Sequence, residues 1–350
     1  MQELLTYMPA PTLEGILAGG NRHSIVLRNG IAYSCGSNHH KQSGIDEDVI
    51  HPLPIRMNLP PIVLSVVATD DNTLVVLEDG RVYGCGTNDY YQLGIGLIKP
   101  APLTLMVLPS PALSVSISTY HSAVVLQDGR VFGCGENDNG RLGTNDTNRR
   151  HFPVQMQIFG SAMSVACTGR RTYVLLENGE VYYYGHEYEA VLIELDEPVI
   201  EIVAGQYHVL FLLAGGRVFG MGSGISGQLG NGESEDAVVP TEMILPELAV
   251  TLTCGRLHSL VLLMDGRVFG CGGNNRGQLN HTDLESDFLV PREIVLPRPV
   301  TAIGAGRTHS LFLLEDERVF GCGNNRFGQL GTGEVRMEPE VPPVEMMVPR

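Results

Sequence analysis

Tryptophan is missing from this 350-residue chain and lysine nearly so, Lys41 and Lys99 being the only two. Almost all positive charge is therefore arginine, a bias we attribute to genome composition. There is no cluster of Lys and Arg to serve as a nuclear-localisation signal or chromatin-binding tail. The formal net charge is −16. Because affinity for nucleic acid rests mainly on neutralising phosphates, that balance argues against DNA as a direct partner. No apolar run approaches the ~20 residues a membrane-crossing helix requires. The opening stretch MQELLTYMPAPTLEG lacks the basic start and continuous apolar core of a signal peptide, so the expected location is the cytoplasm.

Seven cysteines are an odd number for a disulfide framework, and no tight C-x-x-C pair suggests structural zinc. The chain has no G-x-S-x-G, no phosphate-cradling G-x-x-x-x-G-K-[ST] and no H-E-x-x-H. His39-His40 and the acidic Asp46-Glu47-Asp48 share a loop but follow no ligand spacing, so no metal and no cofactor are assigned.

What the chain does have is repetition. Segments such as AGGNRHSIVLRNGIAYSCGSN, ISTYHSAVVLQDGRVFGCGEN and CGRLHSLVLLMDGRVFGCGGN align through seven copies. One repeat position is occupied by Cys35, Cys85, Cys134, Tyr184, Met221, Cys271 and Cys322. The steps between them are 50, 49, 50, 37, 50 and 51 residues, so the fourth repeat is cut short. Each copy carries two short apolar strands. Between them lies Asn29-Gly30, Asp79-Gly80, Asp128-Gly129, Asn178-Gly179, Gly215-Gly216 or Asp265-Gly266, read as two-residue hairpin turns. Asp316-Glu317 departs from this and predicts a looser last hairpin.

A proline-bounded segment such as PREIVLP follows and suits an edge strand. One repeat cannot bury its own faces, so the repeats must stack as blades around an axis. The expectation is an all-β, seven-bladed propeller forming one domain over 1–350. Its repeats fall at approximately 13–60, 61–110, 111–160, 161–197, 198–247, 248–298 and 299–350. LLTYMP near the start and VEMMVP at the end both look like outer strands, and one of them is expected to complete the ring.

The string A-G-x-x-H-S-x-x-L-x-x-D-G-R-V-F-G-x-G-x-N-x-x-G-Q-L-G closely resembles the regulator-of-chromosome-condensation repeat over nearly the whole chain. The resemblance implies a seven-bladed propeller, and the family includes the guanine-nucleotide exchange factor for the small GTPase Ran. Many members carry Trp at the Cys35 position; with none here, a tryptophan-based light sensor is excluded. The exchange factor inserts a wedge-like hairpin into Ran, but no repeat step here is long enough to suggest one.

In the exchange factor, histidines of the fifth and seventh repeats lie on the GTPase-binding face, and they match His208 and His309. An acidic residue before its third-repeat histidine corresponds to Tyr120. The recurring histidines His23, His121, His208, His258 and His309 otherwise read as turn supports bonded to backbone. Arg22, Arg170, Arg256 and Arg307, with Arg171 in a histidine position, form a prospective basic collar for carboxylates or phosphates; the alternative is salt bridging between blades. The repeated hairpin arginines and the N-x-x-G-Q-L-G segments read as structural.

The resulting expectation is a monomeric protein-interaction propeller that engages a Ran-like small GTPase, with guanine-nucleotide exchange as its candidate activity. Its interface would comprise Arg22, Asp70, Asp71, Tyr120, Arg170, Arg171, Tyr207, His208, Arg256 and His309. The alternative is a non-catalytic adaptor of the ubiquitin-ligase- or kinase-associated type, docking through a missing half-blade around His186 to Leu195.

Overall fold

Short runs of branched and aromatic residues, each ended by a turn, favour a meander of antiparallel strands in every repeat. The computed structural model describes residues 16–60, 62–186 and 189–349. Among the described residues lie 28 strands, all belonging to seven four-stranded sheets. The blades are β1–β4 (17–56), β5–β8 (63–106), β9–β12 (112–155), β13–β16 (162–193), β17–β20 (199–242), β21–β24 (249–294) and β25–β28 (300–345). Within a blade we call the strands a to d, from the axis outward. Because the chain reverses at every strand, a–b turns and c–d loops share one face, while b–c hairpins and d–a connections share the other.

The core is divided among the seven interfaces between neighbouring blades, each holding one apolar cluster. The last cluster closes the ring, with Leu17, Val26 and Cys35 of blade one against Leu311, Val319, Leu330 and Met346 of blade seven. The C-terminal strand β28 (Arg336–Glu345) pairs with β27 (Val319–Asn325) of its own repeat. LLTYMP lies outside the described residues. Among those described, blade one meets blade seven by side-chain packing, with no strand shared between repeats.

Polar groups clamp the same interfaces. The histidine opening strand b of one blade reaches a hydroxyl on strand b of the next: His23 to Thr73 at 2.9 Å, His121 to Thr172 at 2.9 Å and His208 to Ser259 at 2.8 Å. His258 to Ser310 at 3.1 Å and His309 to Ser24 at 2.8 Å continue the series around the ring. The hydroxyls of Thr73, Ser259 and Ser310 in turn donate to the carbonyls of Gln42, Gln228 and Gln278. Those hydroxyls therefore accept from an Nε2–H. The histidines bind neighbouring side chains rather than backbone, correcting the sequence expectation.

The glutamine carbonyls belong to the c–d loops. All but the blade-five loop, which has Gly224 instead, are pinned by an asparagine, as where Asn274 Oδ1 accepts from Leu279 N at 3.0 Å. The same carbonyls receive thiols: Cys85, Cys271 and Cys322 donate to Gln42, Gln228 and Gln278 at 3.4–3.6 Å. Burial pushes these three thiols up to about 12, and all seven cysteines are free.

Two expectations about hairpins are corrected. Only in blade one do both turn residues take positive φ, Asn29 at 52° and Gly30 at 73°. Elsewhere, as at Asp265-Gly266, the glycine alone is positive. Its N–H bonds Leu263 O at 3.0 Å, while Leu263 N bonds Arg267 O at 2.9 Å. That pattern is a three-residue loop ending in a bulge. The last hairpin is not looser: Glu317 adopts φ 64° in the glycine position and keeps the same pair of bonds.

Arginine two residues beyond the turn aspartate pairs back to it in Arg81–Asp79, Arg130–Asp128, Arg267–Asp265 and Arg318–Asp316. In these four the partner is the arginine's own turn, whereas Arg217 pairs with Asp196 and Glu197 of the neighbouring d–a connection, both at 2.7 Å. These pairs lie at the surface and contribute little. Arg267→Ala is expected to change unfolding free energy by less than about 1 kcal/mol in a urea titration; a larger loss would mean the pair organises the hairpin.

The fourth blade is complete in strands. Strand c, β15 (Val181–His186), and strand d, β16 (Glu189–Ile193), are separated by only two residues in sequence and pair with His186 opposite Glu189. What the short repeat lacks is the c–d loop, so the expected missing half-blade is a missing loop. Side chains fill its place. In blades two, five, six and seven the loop leucine packs over a strand-c glycine and a strand-b leucine, as Leu279 does with Gly270 and Leu260. In blade four those two positions hold Tyr183 and Tyr173, whose ring centroids are 5.9 Å apart. In blade five, which would receive the absent glutamine carbonyl, the serine and cysteine donors are replaced by Val209 and Met221, both buried.

Candidate interaction face

The a–b turns crown the axial end of the ring. Three residues separate strand a from the strand-b histidine, and the two before that histidine form the tips. The ten sequence candidates divide sharply by burial. Arg22, Asp70, Asp71, Tyr120, Arg170, Arg171, Tyr207 and Arg256 all reach this face, with Arg170 and Tyr207 exposed and the rest half-buried. His208 and His309 do not: both are 0% exposed and hold their neighbours together. Burial lowers their imidazoles to about 3 and about 4 respectively. Neither can touch a partner without opening a blade interface, so both are removed from the interface.

The collar is asymmetric. Over blades seven, one, two and three it is internally compensated: Arg307 meets Asp70 at 3.5 Å, and Thr119 Oγ1 donates to the same carboxylate. Gln42 Nε2 donates to Asp71 at 3.1 Å, and burial raises that carboxyl. Arg22 lies 4.8 Å from the centroid of Phe327 on the blade-seven loop. Tyr120 stands edge-on to Tyr90, centroids 4.9 Å apart.

Over blades four to six the arginines have aromatic neighbours instead. Arg171 lies over Tyr183 at 4.5 Å and Arg256 over Tyr207 at 5.6 Å. Among the described residues, Arg170, Arg171 and Arg256 form no ion pair. The salt-bridge alternative therefore holds for Arg307 alone. Sequence reasoning missed Tyr183, Tyr90 and Phe327 as parts of this face. A signal for the first was present, since Tyr183 interrupts the V-F-G pattern in the repeat that loses its loop.

Beneath the collar an axial cavity of about 510 Å³ is walled by strands a. Its lining is mainly small and hydroxylated, with Ser114, Ser116, Thr251 and Thr253 among it. Glu201 sits in this wall, accepting from Thr251 Oγ1 at 3.0 Å. Among the described residues no group of histidine, cysteine or carboxylate side chains is arranged to hold a metal, and no helix is long and apolar enough to cross a membrane.

A closed ring of seven four-stranded blades, with turns and loops gathered on one face, defines a repeat propeller. Sequence profiles for the regulator of chromosome condensation (RCC1) repeat match residues 79–125, 128–175, 215–262 and 265–313. A second profile for the same repeat matches 63–92, 113–141, 199–228, 249–278 and 300–329. The chain belongs to the RCC1 repeat family. Among solved structures, human WBSCR16 is similar at 20% identity and TM-score 0.76, covering 85% of each chain. Yeast RCC1 (Prp20), in a crystal structure of its complex with Kap60, matches at 16% identity and TM-score 0.80, over 90% of this chain and 83% of that one. Prp20p from Saccharomyces cerevisiae, in a structure whose description names binding to Gsp1p and histones, matches at 18% and 0.72, over 83% and 80%. At these identities the likeness is one of fold.

Proposed function

We infer that the chain is a protein-binding propeller whose partner docks on the a–b turn face, and that this partner is a Ran-like small GTPase. One observation carries the choice of face: arginines Arg170, Arg171 and Arg256 stand there without a carboxylate among the described residues. On the opposite face Arg81, Arg130, Arg267 and Arg318 are neutralised by their own turns and Arg217 by Asp196 and Glu197. The GTPase reading draws on the repeat family and on the Gsp1p binding named for Prp20p. Exchange would require no acid–base residue, only tighter binding to the nucleotide-free partner than to the loaded one.

The test is release of labelled GDP from purified Ran and a panel of other small GTPases. Acceleration of about tenfold or more is expected for at least one. It should be lost in Arg22→Glu, Tyr120→Ala and Tyr207→Ala variants. Unchanged release across the panel ends the exchange claim.

The second reading is an adaptor without exchange activity, favoured by a specific observation. All 28 strands belong to blades, so no hairpin projects from the ring among the described residues. A stable non-GTPase partner recovered on the immobilised protein, and lost in Tyr207→Ala, would establish it.

A further inference from the structure

Building on the reading of this face as a docking surface, we propose that the propeller binds an acidic, extended segment of its partner across blades four to six. Carboxylate or phosphoryl groups of that segment are gripped by Arg170, Arg171 and Arg256. The protein carries 39 acidic and 23 basic side chains, so arginines that pair with no acid among the described residues are unexpected unless a ligand supplies one. Of the other turn-tip arginines, Arg307 has Asp70 and Arg22, without a direct ion pair, acts electrostatically on Asp71; among the loop arginines Arg149 has Glu136.

Blade four is also where the c–d loop is absent, so the blade-five tip, which such a loop would abut, is left with Tyr207 exposed, whereas the blade-three loop reaches the blade-four tip through its backbone, Asn139 Nδ2 donating to Arg170 O at 2.8 Å. Arg170 is exposed there. The aromatic neighbours make the site ready for binding. Tyr183 beneath Arg171 and Tyr207 beside Arg256 restrict the guanidinium planes, Arg256 also donating to the Tyr207 hydroxyl at 3.4 Å, and guanidinium donors so held suit carboxylate or phosphoryl acceptors. Gln206, at the blade-five tip between them, has a buried Oε1 with no hydrogen-bond partner among the described residues.

Dimensions fit an extended segment. Neighbouring sheets pack roughly 10 Å apart, so three successive tips span roughly 20 Å, the length of about six extended residues. The net charge of −16 opposes the approach of an acidic ligand, but exposed charges beyond about 8 Å are largely screened at physiological salt. The contacts at the arginines therefore dominate.

The experiment uses fluorescein-labelled twelve-residue peptides and fluorescence anisotropy. One peptide is rich in Asp and Glu, one carries Ser at every acidic position, and one carries phosphoserine there. The acidic or the phosphoserine peptide is expected to bind, more weakly at higher salt, and the serine peptide is not. If only the phosphoserine peptide binds, the source is a phosphorylated segment; equal binding points to carboxylates.

Arg170→Glu, at an exposed tip where folding is insensitive, is expected to weaken binding about tenfold, and R170A/R171A/R256A further. R81A/R267A/R298A makes the same change in net charge on the opposite face and is expected to leave binding unchanged. Binding that survives R170E and the triple variant overturns the proposal, as does failure of both anionic peptides to bind. A GTPase captured equally by wild type and R170E, but lost in Tyr207→Ala, would support the docking face but overturn the acidic-segment site. Peptide binding without any GTPase would do the reverse.

Discussion

Lowering the pH from 7 towards 5 is expected to unfold the propeller, because five imidazoles are buried uncharged at its blade interfaces. His23, His121, His208 and His258 are lowered by burial to about 3, and His309 to about 4. In the unfolded chain each titrates near 6.5. Between these limits the unfolded state binds protons that the folded state refuses, so stability falls as pH falls through 6.5 and continues falling towards 4. Above 6.5 these groups contribute no slope.

Each proton is worth about 1.4 kcal/mol per pH unit, so the limiting slope for five is about 7 kcal/mol per unit. A domain of ordinary stability, about 5–15 kcal/mol, is exhausted within one to two units at that slope. The carboxylates do not mask the effect. Backbone and side-chain hydrogen bonds from the arginine two residues on hold Asp79, Asp128, Asp265 and Asp316 below their usual range, so they titrate beneath this window. Asp71, raised by burial, acts in the opposite sense but is one group against five. Urea titrations from pH 7.5 to 5 should give a slope approaching five protons. Replacing His208 with Asn, the residue blade two uses at this position as Asn72, should lower the proton count by one. Stability flat across that range would show the imidazoles to be charged or exposed in solution.

The sequence carried much of this, and its failures have physical causes. Repeat spacing, hydrophobic runs and turn dipeptides were enough for blades and ring, since each reports local chemistry that recurs seven times. Which hairpin forms was not legible: Asp-Gly suits both a two-residue turn and a bulged three-residue loop, and the difference lies in the φ of one aspartate. Whether His208 and His309 face a partner or a neighbour depends on where the next blade's hydroxyl falls, some fifty residues away in sequence for His208 and across the ring closure for His309. The collar was legible as residue types at turn tips. Its asymmetry was not, because Arg307 is neutralised by Asp70 from two blades further round. The meaning of the short fourth repeat was hidden in four unrelated-looking departures, Tyr173, Tyr183, Val209 and Met221, which only the packing shows to replace one loop.

Those four residues set up the second large effect: returning them to the repeat consensus, normally a route to stability, is expected to destabilise this protein. Tyr183→Gly removes a ring that lies against Tyr173 and under Arg171. No loop leucine is available to fill the space, and the cavity and strand glycine together should cost about 3 kcal/mol. Val209→Ser buries a hydroxyl at a site 0% exposed, where the glutamine carbonyl that serves Ser259 is missing, at about 1–3 kcal/mol.

The reciprocal change tests the logic. Ser259→Val leaves His208 Nε2 unpaired and the Gln228 carbonyl with only the Cys271 thiol, and should cost a similar amount. The same serine–valine exchange thus destabilises in both directions, depending on whether the preceding blade carries a loop. Because Tyr183 packs against the cluster that contains Val209, the double variant need not be additive, but about 4 kcal/mol or more approaches the whole stability of an ordinary domain. Urea midpoints of the three single variants and the double decide it. A Val209→Ser protein as stable as wild type would mean that another acceptor replaces the missing loop, and the loop-for-side-chain exchange would then be wrong.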